Sequence, residues 1–162
     1  MQGNFAGKHI LIDLVSNNTK KLSDINFIYH YLTDLTEKLE MTLLGAPQIF
    51  EFPFTNESIV LARKLKNSGI ESPILDDFNK EVERKKKFEG GVSGICVWAE
   101  SHSSLHTWTE NNYVSFDVYS CKDFDEDFTI NFIKEEFEAK SGNILVVKRY
   151  VDIPHEVKII QI

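Results

Sequence analysis

The residues best suited to chemistry are concentrated in one stretch, residues 91–121, which reads GVSGICVWAESHSSLHTWTENNYVSFDVYSC. It supplies hydroxyl, carboxyl, imidazole and thiol groups, which proteins use as nucleophiles, general acids and general bases. The side chains concerned are Ser93, Glu100, Ser101, His102, His106, Glu110 and Cys121. The same residue types also occur in strands with purely structural hydrogen bonds, so their presence alone does not define a reaction.

A cysteine hydrolase is one candidate, because Cys121 and His106 are a nucleophile and a base by type. Neither a nucleophile elbow nor a cysteine-protease signature accompanies them. The elements that position these groups are therefore the next source of information.

Three strands joined by short turns are predicted to carry the stretch, over residues 91–99, 102–108 and 113–120, with Asn111-Asn112 as a turn. In the third strand, alternation places Val114, Phe116 and Val118 on a buried face. The opposite face must meet water, a ligand or a partner subunit, and it carries Tyr113, Ser115, Asp117, Tyr119 and Cys121.

The remaining chain adds strands at 9–15 and 143–153, a strand-like segment at 41–54 that breaks at 45–47, and an edge strand at 157–160 after Pro154. A helix is predicted over 22–40, capped by Ser23 or Asp24, with Ile25, Ile28, Leu32, Leu35 and Leu39 on its buried stripe. A second helix is predicted over 125–140, capped by Asp125 and stopped by Gly142, with Ile130, Ile133 and Phe137 on its inner face. This order predicts an α+β two-layer sandwich, a mainly antiparallel sheet with helices on one face.

Residues 55–89 form a highly charged insertion within a single predicted domain, 1–162. The basic run 84–87 has the composition of a nucleic-acid patch, but Glu81, Glu83 and Glu89 surround it. The mixture of signs favours a solvated helix face.

The composition disfavours several classes of partner. The net charge of −7 argues against nucleic acid and against an anionic membrane surface. The sequence shows neither a membrane-spanning run nor a signal core, so we expect a cytoplasmic protein. Its two cysteines are too few for a disulfide framework and lack zinc-ligand spacing, and Cys96 fits a buried structural role.

Several motifs resemble the prokaryotic S-adenosylmethionine decarboxylase proenzymes, which depend on a pyruvoyl group. AESHSSLHTW resembles their processing site, TENNYVSFDVYSC its continuation through a catalytic cysteine, GVSG the upstream motif and GKHILIDL the N-terminal strand. The resemblance covers residues 7–54 and 90–150.

The resemblance implies that the chain cuts itself at the Glu100–Ser101 bond. The Ser101 hydroxyl would attack the Glu100 carbonyl to give an ester, and elimination would leave a pyruvoyl group at position 101. The products would be a β chain, 1–100, and an α chain, 101–162. His106 would transfer a proton during processing, and Ser93 would assist it.

The resemblance also implies how the mature protein acts. The pyruvoyl carbonyl would form a Schiff base with the amine of S-adenosylmethionine and accept electrons as carbon dioxide leaves, for polyamine synthesis. Cys121 would donate the proton and Glu110 would bind the ribose hydroxyls. An aromatic ring before GVSG, Phe52 in preference to Phe88, would stack on adenine. We expect a homodimer with active sites near the subunit interface, and no metal.

Two departures keep alternatives open. Thr109 stands where the family usually has proline, and the insertion lies beside the expected pocket. A pyruvoyl-dependent arginine or ornithine decarboxylase would keep Ser101, His106 and Cys121. A non-catalytic regulatory paralogue is the third hypothesis, although retention of all these residues argues against it.

Overall fold

The computed structural model describes residues 3–52, residue 69 and residues 90–162. The described residues form one antiparallel sheet of seven strands in the order β2-β3-β4-β5-β1-β6-β7. The strands are β1 (Phe5–Ser16), β2 (Gln48–Phe52), β3 (Gly91–Trp98), β4 (Ser101–Trp108), β5 (Tyr113–Ser120), β6 (Ala139–Tyr150) and β7 (Glu156–Gln161). The predicted insertion at 55–89 lies outside the described residues, apart from residue 69.

Three helices accompany the sheet in the described ranges: α1 (Thr19–Leu22), α2 (Ile25–Lys38) and α3 (Glu126–Glu136). The Asp24 side chain accepts the Phe27 amide at 3.0 Å and so caps α2, as predicted. The prediction of one continuous helix over 22–40 was wrong at its start, because Ser23 closes the short helix α1 and Asp24 begins a new one.

The helices α2 and α3 pack on the same face of the sheet. The Phe137 ring, which follows α3, lies 4.8 Å from Phe116 of β5 and 4.8 Å from Tyr31 of α2, both edge-on. Each of these rings is at most 2% exposed. Such pairs contribute about 0.5–1.5 kcal/mol beyond the burial of their area. The predicted two-layer α+β sandwich with helices on one face is therefore confirmed.

The end of the second long helix differs from the prediction. It ends at Glu136, Glu138 has a left-handed φ of 49°, and β6 begins at Ala139. Gly142 lies inside this strand, where a Cβ atom would approach the Asp13 carbonyl oxygen to 2.5 Å. The prediction that Gly142 stops a helix at 140 was wrong, because pairing with β1 extends β6 back to Ala139.

The sheet edges follow the predicted pattern with shifted bounds. The edge strand after Pro154 is confirmed as β7, and the break near Pro47 leaves β2 only from Gln48. Before that break, Leu43 forms an isolated bridge to Trp98. Within the ranges the structure describes, no helix has the length and apolar character needed to cross a membrane.

Among the described residues, no helix packs on the opposite face of the sheet, which we call the open face. The alternation predicted for β5 is confirmed, because Val114, Phe116 and Val118 are buried against the helices. The open face mixes polar groups with exposed apolar side chains, which include Phe50, Ile95, Val97, Trp108, Val157 and Ile159. The helices that the structure describes thus lie on one face of the sheet, and Ser93 and His106 lie on the other.

Candidate active site

The Glu100–Ser101 peptide lies at the tip of the hairpin between β3 and β4. The hairpin turns at Ala99 and Glu100, and Ser101 begins β4 opposite Ser120 of β5. This register brings the Cys121 amide to the Glu100 carbonyl oxygen, to which it donates a hydrogen bond of 3.1 Å. A backbone donor at this oxygen stabilises negative charge if the carbonyl is attacked.

The Ser101 backbone is in an unusual conformation. Its φ is +155°, in a region that residues with a Cβ atom rarely adopt. Strained backbone of this kind persists only where the surrounding structure holds it, and it is found at functional sites more often than elsewhere. Here the strained torsion directly follows the peptide bond that the sequence identifies as scissile.

The Glu100 carboxylate is held by one residue. Thr42 donates its amide to one carboxylate oxygen and its hydroxyl to the other, each at 2.9 Å. These bonds, first the backbone one, and the charge of Lys122 hold the pKa of Glu100 below its usual value. We call Glu100, Ser101 and Cys121 the cleavage cluster.

A second group of side chains gathers on the open face further along the same strands. His106 of β4 pairs with Ser93 of β3, and the Ser93 hydroxyl lies 2.5 Å from His106 Nδ1. The Trp108 ring packs edge-on at 4.2 Å from the His106 ring. Burial lowers the pKa of His106, and the charge of Glu110 partly opposes this. The lowered pKa favours the neutral form of the imidazole.

Glu110 lies in one turn of 3-10 helix, Thr109–Asn111, directly after β4. Thr109 fixes this turn, because its hydroxyl donates to the Gly90 carbonyl at 2.6 Å and its amide donates to the same oxygen at 3.3 Å. Proline has no amide to donate, so threonine adds a bond that the usual family residue lacks. We call Ser93, His106 and Glu110 the histidine cluster.

The two clusters are not brought together within one chain. His106 lies five positions along β4 from Ser101, which corresponds to about 17 Å at the rise of an antiparallel strand. Proton transfer needs a heavy-atom distance of about 3 Å or one bridging water. His106 and Ser93 therefore do not reach the Ser101 hydroxyl of their own chain.

The remaining predicted residues are placed as follows. Cys96 is buried 3.3 Å from the Thr36 hydroxyl, which confirms the expectation of a structural cysteine, and Cys121 is exposed. His102 lies on the open face with its ring 6.0 Å from that of Tyr119. Phe52 ends β2 opposite Gly91, and the structure describes its backbone but not its side chain. Phe88 lies outside the described residues. In the described part of the chain, no group of histidine, cysteine and acidic residues is arranged to hold a metal ion.

Sequence reasoning missed Thr42 and the Tyr113–Asp13 pair. Thr42 contacts a residue 58 positions away, so no local motif marks it. The Tyr113 hydroxyl donates to Asp13 at 2.5 Å, and burial, together with this bond, raises the pKa of Tyr113 to about 12. The alternation of β5 placed Tyr113 on the open face, but only the sheet order makes Asp13 its neighbour.

These features define a two-layer α+β protein with Ser93 and His106 on the open sheet face and the cleavage cluster at the tip of the β3–β4 hairpin. A sequence model of the family described as S-adenosylmethionine decarboxylase matches residues 77–150. Several similar curated proteins are named S-adenosylmethionine decarboxylase proenzyme. That of Thermodesulfovibrio yellowstonii is 26% identical over 159 residues, which cover 93% of this chain and 90% of the relative. That of Geobacillus kaustophilus is 28% identical over 152 residues, covering 94% and 93%.

Identity is higher over a shorter stretch in archaeal relatives. The Pyrococcus horikoshii protein is 40% identical over 63 residues, which are 38% of this chain but only 45% of the relative's length. The chain thus matches about half the length of these relatives. A crystal structure named as the adenosylmethionine decarboxylase of Aquifex aeolicus has a TM-score of 0.64 at 20% identity, covering 94% of this chain and 98% of that one, and it supports the fold. The chain is thus similar to the S-adenosylmethionine decarboxylase family over residues 77–150 and, at lower identity, to relatives over most of its length.

The coupling between Glu110 and His106 gives a measurable prediction. Because the Glu110 charge raises the pKa of His106, Glu110→Gln should lower that pKa further below its ordinary 6.5. A folded-state histidine pKa below the unfolded value means that folding disfavours the proton, so the stability this group contributes is present above pH 6.5 and is lost as pH falls. NMR titration of the His106 ring measures the shift.

Two design features make this titration specific. The Ser101→Ala background keeps the chain uncut during the measurement, and Glu135→Gln makes the same charge change at an exposed position of α3. An unchanged or raised His106 pKa in Glu110→Gln would show that the two groups are not coupled.

Proposed function

We propose that the chain is the self-processing proenzyme of a pyruvoyl-dependent decarboxylase that acts on S-adenosylmethionine. One observation carries the proposal: the Glu100 carbonyl is bound by the Cys121 amide, beside a Ser101 held at a strained φ. The names of the relatives that cover most of the chain favour this substrate over arginine or ornithine. The product would supply aminopropyl groups for polyamine synthesis.

Cleavage in this proposal uses groups of the chain and one water molecule. The Ser101 hydroxyl oxygen attacks the Glu100 carbonyl carbon, the C–N bond breaks, and the hydroxyl proton reaches the freed nitrogen, which leaves an ester. Loss of the Ser101 α-proton then expels the Glu100 carboxylate, and hydrolysis of the resulting enamine releases ammonia. In balance, one water is consumed and one ammonia is lost.

The residues around position 101 fit the pyruvoyl group that this reaction leaves. The Cys121 amide lies at the cut, and the exposed Cys121 thiol follows the strand that pairs with Ser101. Once formed, the pyruvoyl group supplies an electrophilic carbonyl that withdraws electrons as carbon dioxide leaves. In the proposal Cys121 then donates a proton, Glu110 binds the ribose hydroxyls and Phe52 stacks on adenine.

The separation of the two clusters supports a homodimer. A second copy packed on the open face can bring the histidine cluster of the partner subunit to the cleavage cluster, which one chain alone does not do. The exposed apolar side chains Ile95 and Val97 lie on this face beside β4 and would be covered. The free thiols Cys96 and Cys121 suit the reducing cytoplasm, where we expect the dimer to act.

Intact mass spectrometry of the purified chain tests the cleavage. We expect fragments 1–100 and 101–162 whose summed mass exceeds that of the uncut chain by one water minus one ammonia. Ser101→Ala should remain one polypeptide, because alanine has no hydroxyl to attack the carbonyl.

Ser104→Ala is the matched control, since it removes a hydroxyl from the open face of the same strand at a different position. This variant should be cut like the wild type. Active wild-type protein that stays uncut would contradict the proposal.

Mixed dimers test whether the histidine cluster acts across the interface. The Ser101→Ala and His106→Ala chains should each stay uncut alone. Co-expressed with different tags, they should form mixed dimers in which the chain bearing His106→Ala is cut, because its Ser101 meets the intact His106 of the partner subunit. Mass analysis of the doubly purified dimers reports which chain is cut.

Two outcomes count against this arrangement. Mixed dimers that remain uncut would show that His106 acts within its own chain or that the dimer differs. Cleavage of His106→Ala alone would remove His106 from the processing step altogether.

Release of carbon dioxide tests the substrate and the proton donor together. The processed chain should decarboxylate S-adenosylmethionine and leave arginine and ornithine unchanged. Cys121→Ala keeps the backbone amide, so it should still be cut, but decarboxylation should slow by about 10²–10⁴-fold, as loss of a general acid does.

Cys96→Ala is the matched control for the thiol and should keep most of the activity. Turnover of arginine or ornithine in place of S-adenosylmethionine would establish the alternative decarboxylase. A processed chain that turns over none of the three would instead support the regulatory paralogue.

A further inference from the structure

A short segment between α2 and β2 braces the hairpin tip that contains the scissile bond. We call residues 40–44 the anchoring segment. The Thr42 carbonyl accepts a hydrogen bond of 2.9 Å from the Ala99 amide, and the Leu44 amide donates a hydrogen bond of 3.0 Å to the Val97 carbonyl. The segment thus runs along the end of β3 as a short extra pairing.

Contacts with α2 and β5 fix the position of the anchoring segment. Glu40 adopts a left-handed φ of 53° directly after α2, and the Met41 amide bonds to the Thr36 carbonyl at 2.9 Å. The Met41 side chain is 8% exposed and accepts a bond from the buried Ser120 hydroxyl at 3.6 Å. The position of Thr42 therefore follows from the packing of α2 on the sheet.

Glu100 receives three kinds of restraint from Thr42 and Cys121. Its carboxylate is bound at both oxygens by Thr42, the amide of the residue before it, Ala99, is bound by the Thr42 carbonyl, and its own carbonyl is bound by the Cys121 amide. Lys122 restrains the anchoring segment as well, because its ammonium donates a hydrogen bond of 2.6 Å to the Glu40 carbonyl. The Glu100 side chain, which precedes the scissile bond, thus restrains the orientation of that peptide plane.

We propose that Thr42 is a positioning residue for self-cleavage, which holds the Glu100 carboxylate so that the adjacent carbonyl carbon faces the Ser101 hydroxyl. The inference rests on the proposed function, because it concerns the acyl shift from the Ser101 nitrogen to its oxygen. The attacking and attacked atoms belong to neighbouring residues, so the rate depends on the torsions between them. The two hydrogen bonds from Thr42 to the Glu100 carboxylate restrain those torsions.

The test compares Thr42→Val with wild type in the rate at which freshly refolded precursor is cut. Valine keeps the shape, the amide and the carbonyl and removes only the hydroxyl. We expect cleavage to slow by about ten- to a hundredfold, as small displacements of reacting groups do. Thr42→Ser restores the hydroxyl and should return the rate to within about threefold of wild type.

Two further measurements separate positioning from stability. The thermal midpoint of Thr42→Val in the Ser101→Ala background, which cannot be cut, should lie within a few degrees of Ser101→Ala alone. Thr33→Val is the matched control, because the exposed Thr33 hydroxyl bonds only within α2 to the Tyr29 carbonyl among its described contacts. It should be cut at the wild-type rate.

Hydroxylamine, which cleaves esters but not ordinary peptide bonds under mild conditions, locates the affected step. If Thr42 promotes the acyl shift, Thr42→Val should accumulate no ester, and hydroxylamine should not speed its cleavage. Rapid cleavage by hydroxylamine would place the defect after the ester and overturn the inference. So would wild-type cleavage rates in Thr42→Val. An uncut wild-type chain would overturn the proposed function itself, a distinct result.

Discussion

The hydrogen bond from the Cys121 amide to the Glu100 carbonyl depends on the antiparallel register of β4 and β5. That register pairs Ser101 with Ser120 and continues without a shift to Trp108 and Tyr113. A slip of one residue would turn every side chain of β4 to the other face and would remove the amide from the carbonyl. The same alternation buries Ser103 and Leu105 under the helices, so the helix packing that stabilises the sheet also holds the Glu100–Ser101 peptide in place.

The loop that follows Cys121 is fixed from another part of the chain. Lys8 of β1 is 5% exposed, and its ammonium bonds to the Phe124 carbonyl at 2.6 Å and to the Asp123 carboxylate at 2.7 Å. The hydrogen bond and the charge of Lys8 lower the pKa of Asp123. A buried lysine without such partners would carry a large desolvation cost. Cys121 therefore lies between β5, whose register is fixed by its pairing with β4, and a loop that is held by Lys8 of β1.

Much of this organisation is predictable from sequence, and the exceptions have physical causes. The alternation of β5 and the Asp24 and Asp125 caps are local patterns, and the structure contains each of them. Gly142 was misread because a helix stop and a close strand crossing both select glycine, and only the β1–β6 pairing distinguishes them. Thr42 has no local signature, because its role depends on a contact across 58 residues. The separation of His106 from Ser101 was in principle readable, since His106 lies on the predicted strand 102–108, which begins directly after Ser101.

That separation has a geometric consequence for the proposed dimer. In a twofold assembly each contact occurs twice, so one interface that joins the cleavage cluster of one copy to the histidine cluster of the other creates two equivalent sites. The twofold axis that brings Ser101 of one copy to His106 of the other must pass midway between these two residues of each chain, near Ser103 and Ser104 of β4. Of these two, Ser104 lies on the open face, while the Ser103 side chain is fully buried under the helices. A small residue at the axis permits the close approach of two sheets, and the exposed Ile95 and Val97 on the neighbouring strand β3 would supply the apolar area.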